Sequence, residues 1–392
     1  MRTSLLWLTA LALTGAGLIL GAQAPAPVPQ GGVPGGLLRR PGDGRTAEFP
    51  EPTITQYKPR STLKTAEHTV PKAKFPAIDI HSHQPAPMSD DRFARVIAGM
   101  DAVNLRVLVN ASGTSGERLT QSVQALKTTR FPGRMVQFTD LDFRNVGPGW
   151  GARAATQLEA DAKAGAVGIG EISKAFGLRI RKADGSRLKI DDPELDAVWA
   201  AAARLGLPVL IHTAEPQEFF EPIDYNNERW LELALYRDRR YPAGEFPRFE
   251  ELIGERDRMF KKHPKTTFIA AHFAYHANDL ARAAALLDAM PNVHLEVGAI
   301  LAELGRQPRA AREFFVKYQD RIMFGKDSFQ PDEYPYYWRV FETQDDYFDY
   351  YRDYHAFWKL YGINLPDEVL KKVYYKNAVR VFKGMPTAGW PQ

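Results

Sequence analysis

The chain has 392 residues, no cysteine, 28 prolines, 44% hydrophobic and 25% charged residues, and a pI near 9.0. These proportions belong to a globular chain and exclude wholesale disorder, collagen and a polytopic membrane protein. With no thiol there is no disulfide, thiolate metal site or cysteine nucleophile, so any metal must be held by histidines and carboxylates.

Taken in order, residues 1–24 read as a secretory signal: Arg2 is followed by the apolar run Leu5 to Leu20 and by Ala22-Gln23-Ala24, small residues suited to cleavage. An uncleaved anchor is the alternative, since such a run is at the lower limit for spanning a bilayer. Residues 25–76 hold ten of the 28 prolines and the run Gly31-Gly32-Val33-Pro34-Gly35-Gly36. They read as a flexible linker that cannot bury enough surface to offset its ordering entropy. This linker carries eight basic against four acidic side chains, whereas residues 77–392 have a net charge of −1. The high pI therefore belongs to the N-terminal arm, and nucleic acid is not an expected partner.

From Ala77 to about residue 383, short apolar strands alternate with amphipathic helical stretches. The predicted strands are Ala77 to His81, Leu105 to Asn110, Met135 to Thr139, Val167 to Glu171, Pro208 to His212, Thr267 to His272, Val293 to Val297 and Ile322 to Gly325. Segments such as Asp192 to Leu205 and Asp279 to Met290 are apolar at helical spacing. Eight strand-helix units predict a (β/α)8 TIM barrel over residues 77–392, with a doubly wound open sheet as the alternative. Two connections are enlarged. Phe176 to Asp192, after the fourth strand, predicts a hairpin turning at Ala183 to Ser186; Thr213 to Arg248, after the fifth, is rich in aromatic and acidic groups. Between Phe329 and Tyr361, 14 of 33 residues are aromatic, which predicts a C-terminal helical region packed on the barrel or against a second copy in a homo-oligomer, with a platform for a sugar or aromatic substrate as the alternative.

Polar groups close several of these strands. His81 and His83 lie two apart and so point to one side. Glu171, His212, His272 and Asp327 each end or follow a later strand. Catalytic groups of barrels sit at the C-terminal ends of strands, so these six should meet at one mouth and form a metal site. Glu171 could bridge two metals, bind substrate or accept a hydrogen bond from a ligand histidine. Asp327 could ligate metal and take a proton from water, or cap the following helix. In the long fifth loop, Glu215, Asn227 and Arg229 are candidate substrate contacts, Arg229 as a clamp for a carboxylate. His276, four residues after His272, reads as a surface or loop histidine, with a second ligand on one helical face as the alternative; His263 and His294 read as structural.

The segments His81-Ser82-His83, Glu171, Ile211-His212, His272 and Phe324-Gly325-Lys326-Asp327-Ser328 resemble the metal-binding pattern of the amidohydrolase superfamily. Together with the closing Asn377 to Phe382 segment, they resemble its amidohydrolase-related branch, which includes aminocarboxymuconate semialdehyde decarboxylase. The resemblance covers about Ala77 to Phe382. It implies that His81, His83, His212 and Asp327 hold one divalent metal, commonly zinc, and that His272 is the catalytic partner that helps Asp327 activate water. Glu171 is instead similar to the strand-four glutamate that bridges two metals in TatD-type hydrolases; one ion is favoured over two. The implied activity is that of an exported, periplasmic or secreted metal-dependent hydrolase acting on a small amide, ester or lactone, with no membrane span left after signal cleavage. A metal-dependent decarboxylase is the rival, and a barrel that binds without turnover is the third reading.

Overall fold

The computed structural model describes residues 52–355 and 357–391. The predicted signal and residues 25–51 of the predicted linker lie outside them. The chain divides into two units, residues 1–63 and 64–392. Within the first, residues 52–63 are exposed and hold one turn closed by the Gln56 N–H on the Thr53 carbonyl. Among the described residues, no helix is long and apolar enough to cross a membrane.

All eight predicted strands form. They are β1 (Ala77–Ser82), β2 (Leu105–Asn110), β3 (Met135–Gln137), β4 (Ile169–Ile172), β5 (Val209–Ile211), β6 (Phe268–Ala270), β7 (Val293–Glu296) and β8 (Ile322–Met323), every neighbouring pair parallel. Two ladders result, β1-β2-β3 and β4-β5-β6-β7-β8. Hydrogen bonds cross both seams between them. At one, Thr139 N–H donates to the Gly168 carbonyl at 2.9 Å; at the other, Ile80 N–H reaches the Phe324 carbonyl at 3.0 Å and Asp327 N–H the His81 carbonyl at 2.8 Å. These bonds carry the order β1 to β8 round to β1, the ring of a (β/α)8 barrel.

The strands are buried on both faces, as parallel strands under helices must be, so they read as continuous apolar runs and not as alternations. Helices between consecutive strands cover the ring: α1 (Asp90–Ala102), α2 (Gly116–Thr128), α3 (Trp150–Ala164), α4 (Asp196–Leu205), α5 (Trp230–Leu235), α6 (Phe249–Lys262), α7 (Leu280–Ala289), α8 (Leu301–Gly305) and α9 (Pro308–Lys317). Asp279 caps α7 by accepting from Arg282 N–H, and Gly206 ends α4 in the left-handed region at φ 67°.

Both enlarged connections are present. The fourth-strand excursion is a hairpin whose Arg181 and Arg187 pair antiparallel around Gly185 at φ 84°. The fifth-strand excursion contains α5 between two short 3-10 turns. The aromatic region forms α10 (Tyr334–Glu342), whose Tyr334, Tyr337, Trp338 and Phe341 are buried against Phe324 and Tyr374. Core packing within one chain thus accounts for these four side chains.

The predicted linker does not stay loose to residue 76. His68 N–H donates to the buried Asp345 carboxylate at 2.8 Å, and Ala73 is buried with its N–H on the Val103 carbonyl at 3.2 Å. This docking uses backbone groups, one methyl and two side chains, His68 on Asp345 and Lys74 on Asp367, whose distant partners composition does not reveal.

Candidate metal centre

Four of the six predicted residues converge at the end of β1. His81 is buried, while His83 and Asp327 are each 38% exposed in their side chains. His83 Nε2 lies 3.3 Å from Glu171 Oε2 and 3.4 Å from Asp327 Oδ1. His81 Nε2 lies 3.3 Å from Glu171 Oε1 and 3.7 Å from Asp327 Oδ1. The approach is close because residue 325 is glycine: a Cβ there would sit 2.8 Å from His81 Cβ.

The other two histidines approach the Glu171 oxygen that His81 also faces. His212 Nδ1 is 2.8 Å and His272 Nε2 3.6 Å from Glu171 Oε1, and the two rings meet at 3.1 Å. Three ligand groups result: His81, His83, Glu171 and Asp327; Glu171, His212 and His272; and His81, His272 and Glu296. This differs from the expected single set. His212 falls with His272 and not with His81, His83 and Asp327, and Glu171 belongs to the first two groups.

Around this cluster, a layer that sequence reasoning did not single out fixes the rings. Glu296, at the end of β7, is fully buried and accepts from His81 Nδ1 at 3.2 Å, from His272 N–H at 3.1 Å and from Gly298 N–H. His272 Nδ1 meets the Gly298 carbonyl at 2.9 Å. Tyr275 places its hydroxyl 2.8 Å from His212 Nε2 and donates to Glu215 at 3.0 Å. His272 and Tyr275 share this neighbour because residues 272–275 all adopt left-handed φ values of 53° to 57°. Such a turn costs roughly 1–2 kcal/mol per residue, so the surrounding packing must impose it. A signal for Glu296 existed: it is the polar residue at the end of an apolar strand, by the same rule that marks Glu171.

The charges are mutually dependent. Burial pulls His212 down, but Glu171 and then Glu215 push it up to about 10. His83 is likewise opposed by burial and raised to about 9 by Asp327 and Glu171. Burial raises the Glu215 carboxyl, yet His212 and then Lys174 bring it down to about 2. Asp327 is held well below the usual carboxylate range, His83 and His81 outweighing burial. The carboxylates thus demand positive charge here, from protons or from a cation. Burial pulls His81 down, but Glu171 and Glu296 hold it well above the ordinary imidazole range. Once Nε2 gives up its proton, with Nδ1–H kept on Glu296, its lone pair faces the carboxylate oxygens of Glu171 and Asp327. Acceptors facing acceptors in a buried mouth are satisfied by a metal ion, and the His and carboxylate donors suit a divalent one.

A cavity of about 320 Å3 opens from His212, His272 and Asp327. Of the predicted substrate contacts, Glu215 and Arg229 line it and Asn227 does not. Asn227 instead holds the loop, donating to the Glu218 and Pro222 carbonyls and accepting from Arg229 N–H. Arg229 is buried and its guanidinium is already committed to Glu232 and Glu303, which leaves little for a substrate carboxylate. His263 and His294, expected to be structural, respectively meet Asp196 and lie buried within β7; His276, expected at the surface or in a loop, is instead buried against Arg256.

Residues 69–384 match the family described as amidohydrolase. No curated protein matches the chain. Among solved structures, it is similar to an uncharacterised TIM-barrel protein of Bordetella bronchiseptica, at 14% identity over 78% of this chain and 97% of that one, with a TM-score of 0.48. It is also similar to 5-carboxyvanillate decarboxylase of Sphingomonas paucimobilis, at 16% identity over 79% and 99%, with a TM-score of 0.46. Dihydroorotase of Campylobacter jejuni aligns at 14% identity over 81% and 86%, with a TM-score of 0.43.

Proposed function

The chain belongs to the amidohydrolase family, and from that premise we propose that it is an exported metal-dependent hydrolase acting on a small amide, ester or lactone. The observation that carries the reading is Glu171, whose carboxylate meets all four histidines, His83 at one oxygen and His81, His212 and His272 at the other. That placement suits two divalent ions sharing one carboxylate better than the single ion favoured from sequence, and a donor set dominated by imidazole suits zinc.

When bound, such ions supply Lewis acidity that lowers the pKa of water to about 7 and polarises a carbonyl. The chain's own residues do the rest. Asp327, ionised and partly exposed at the cavity edge, is placed to take the proton of an attacking water and return it to the departing alcohol or amine. His272 cannot turn, because its Nδ1 is held by the Gly298 carbonyl, so its Nε2 stays directed at Glu171 and His212. Glu215 and Tyr275 fix the His212 ring from the cavity side.

The rival reading is a metal-dependent decarboxylase, and an arginine in the cavity without an anionic partner is the observation that favours it. Metal analysis and product assays on the purified chain test both. We expect two divalent ions per chain, a fall to one or fewer in Glu171→Gln, and cleavage of esters, lactones or amides without release of carbon dioxide. Carbon dioxide release from aromatic carboxylates with no cleavage activity would establish the rival, and a chain that takes up no divalent ion would sink both.

A further inference from the structure

Four cationic side chains line the cavity that opens from the metal centre: Lys174, Arg229, Arg239 and Arg352. Three have anionic partners. Lys174 Nζ lies 3.2 Å from Glu215, Arg239 donates to Glu232 at 2.6 Å, and Arg229 is shared between Glu232 and Glu303. Arg352 differs. Its guanidinium makes no side-chain hydrogen bond and no salt bridge among the described residues, although the side chain is half-buried.

The surroundings of Arg352 are phenolic and carry no compensating charge. Tyr350, Tyr351 and Tyr354 are its principal neighbours, and its guanidinium carbon lies 5.4 Å from the Tyr351 ring centre. The hydroxyls of Tyr350 and Tyr351 are buried with no hydrogen-bond partner beyond each other. A guanidinium offers five donors and no acceptor, and a phenol adds one donor more. An uncompensated guanidinium at the cavity wall beside Tyr354 is complementary to an anionic oxygen pair, and the planar fork of arginine matches a carboxylate bidentately. The other charged group of the cavity without a partner, Glu218, has Arg229, Glu228 and Glu303 as its charged neighbours and so does not neutralise Arg352.

We propose that Arg352 receives a carboxylate of the substrate, so that the molecule cleaved at the metal centre is itself an anion. Anion recognition by Arg352 rests on the cavity alone; cleavage of the same molecule rests on the hydrolase reading above. A cavity of about 320 Å3 is at the small end for ligand sites and suits a compact acid over a long chain.

Calorimetric titration of the metal-loaded full chain with the dicarboxylates malonate to adipate, each against its monomethyl ester, tests the assignment. At least one dicarboxylate should bind about tenfold or more tightly than its monoester. Arg352→Met should bring the pair within about twofold at unchanged metal content, with Arg352→Lys intermediate. The proposal is overturned if no dicarboxylate outcompetes its monoester, or if folded Arg352→Met keeps the preference. Should that variant fail to fold, Arg352→Lys decides, and an undiminished preference overturns the assignment. A chain that takes up no metal sinks the hydrolase reading instead, and binding of either acid or monoester that is undiminished in metal-free Arg352→Met would still overturn the role of Arg352.

Discussion

Glu296→Gln keeps the shape of a buried side chain and removes its charge, and the geometry dictates the outcome. One carboxylate oxygen accepts from both His81 Nδ1 and His272 N–H, and the other accepts from Gly298 N–H. Glutamine has one acceptor oxygen and one NH2 group, so it cannot serve both sides. With its oxygen toward His81, the NH2 confronts Gly298 N–H. With its oxygen toward Gly298, the NH2 confronts His272 N–H and forces His81 to move its proton to Nε2, the atom that faces Glu171 and Asp327. Either choice strands a buried N–H at about 1–3 kcal/mol of stability. The lost charge also weakens His81 as a ligand, and outer partners of this kind are worth about 10–100-fold in metal affinity. Urea unfolding and competition with a chelator measure both effects. A variant within about twofold in metal affinity and about 0.5 kcal/mol in stability would refute the account of how His81 is held.

Arg229→Met leaves Glu303 buried without a cation, since the second Glu303 oxygen already lacks a partner, and should cost about 3–5 kcal/mol in urea unfolding while preserving any preference for dicarboxylates. A stable variant that lost that preference would restore the carboxylate clamp expected of Arg229 from sequence. Burial, and then Arg321 and Arg380, bring His294 down to about 3; burial, and then Arg256 and Arg282, bring His276 to about 2. Their unfolded value is about 6.5, so below that pH the unfolded chain binds protons that the folded one refuses, and stability falls by about 1.4 kcal/mol per pH unit for each. His294→Phe should therefore lose part of the decline between about pH 6.5 and 4, and an unchanged slope would contradict a neutral buried His294. Asp345→Asn removes the charge that holds the His68 N–H and Arg339 Nε, each at 2.8 Å. Tryptic cutting at Lys64 and Lys72 should then accelerate about fivefold or more, and an unchanged rate would show that the arm is held elsewhere.

The barrel was legible because each strand is a short apolar run bounded by polar residues, and such runs occur eight times with room for a helix between them. Strand ends shifted by a residue or two, as at β8, which stops at Met323 where the apolar run to Gly325 predicts a longer strand. The mouth residues were legible from the same boundaries, and the structure brings all six to Glu171 or its immediate neighbours. Tyr275 carried no signal: nothing in Ala271-His272-Phe273-Ala274-Tyr275 favours a left-handed turn, since it contains neither glycine nor asparagine. That conformation is imposed by long-range packing, which local propensity does not report.

The grouping of ligands was hidden for a different reason. Order along the chain says which residues reach the mouth, whereas position around the ring says which of them meet. His81 on β1, His83 just after it and Asp327 after β8 are neighbours because the end of β8 hydrogen-bonds back to β1, although about 245 residues separate them. His212 and His272 follow the adjacent strands β5 and β6, on the far side of the ring. Glu171 on β4 adjoins β5 and extends its second oxygen toward His83, so one side chain spans the gap between the groups. A single ion drawing on β1, β5 and β8 would have to gather ligands from both sides of the ring, and Glu171 is the carboxylate that reaches the histidines of both. Ring geometry thus turns the count of metal ions into the question of whether one carboxylate is shared, and makes Glu171 the side chain whose loss should change stoichiometry before it changes anything else.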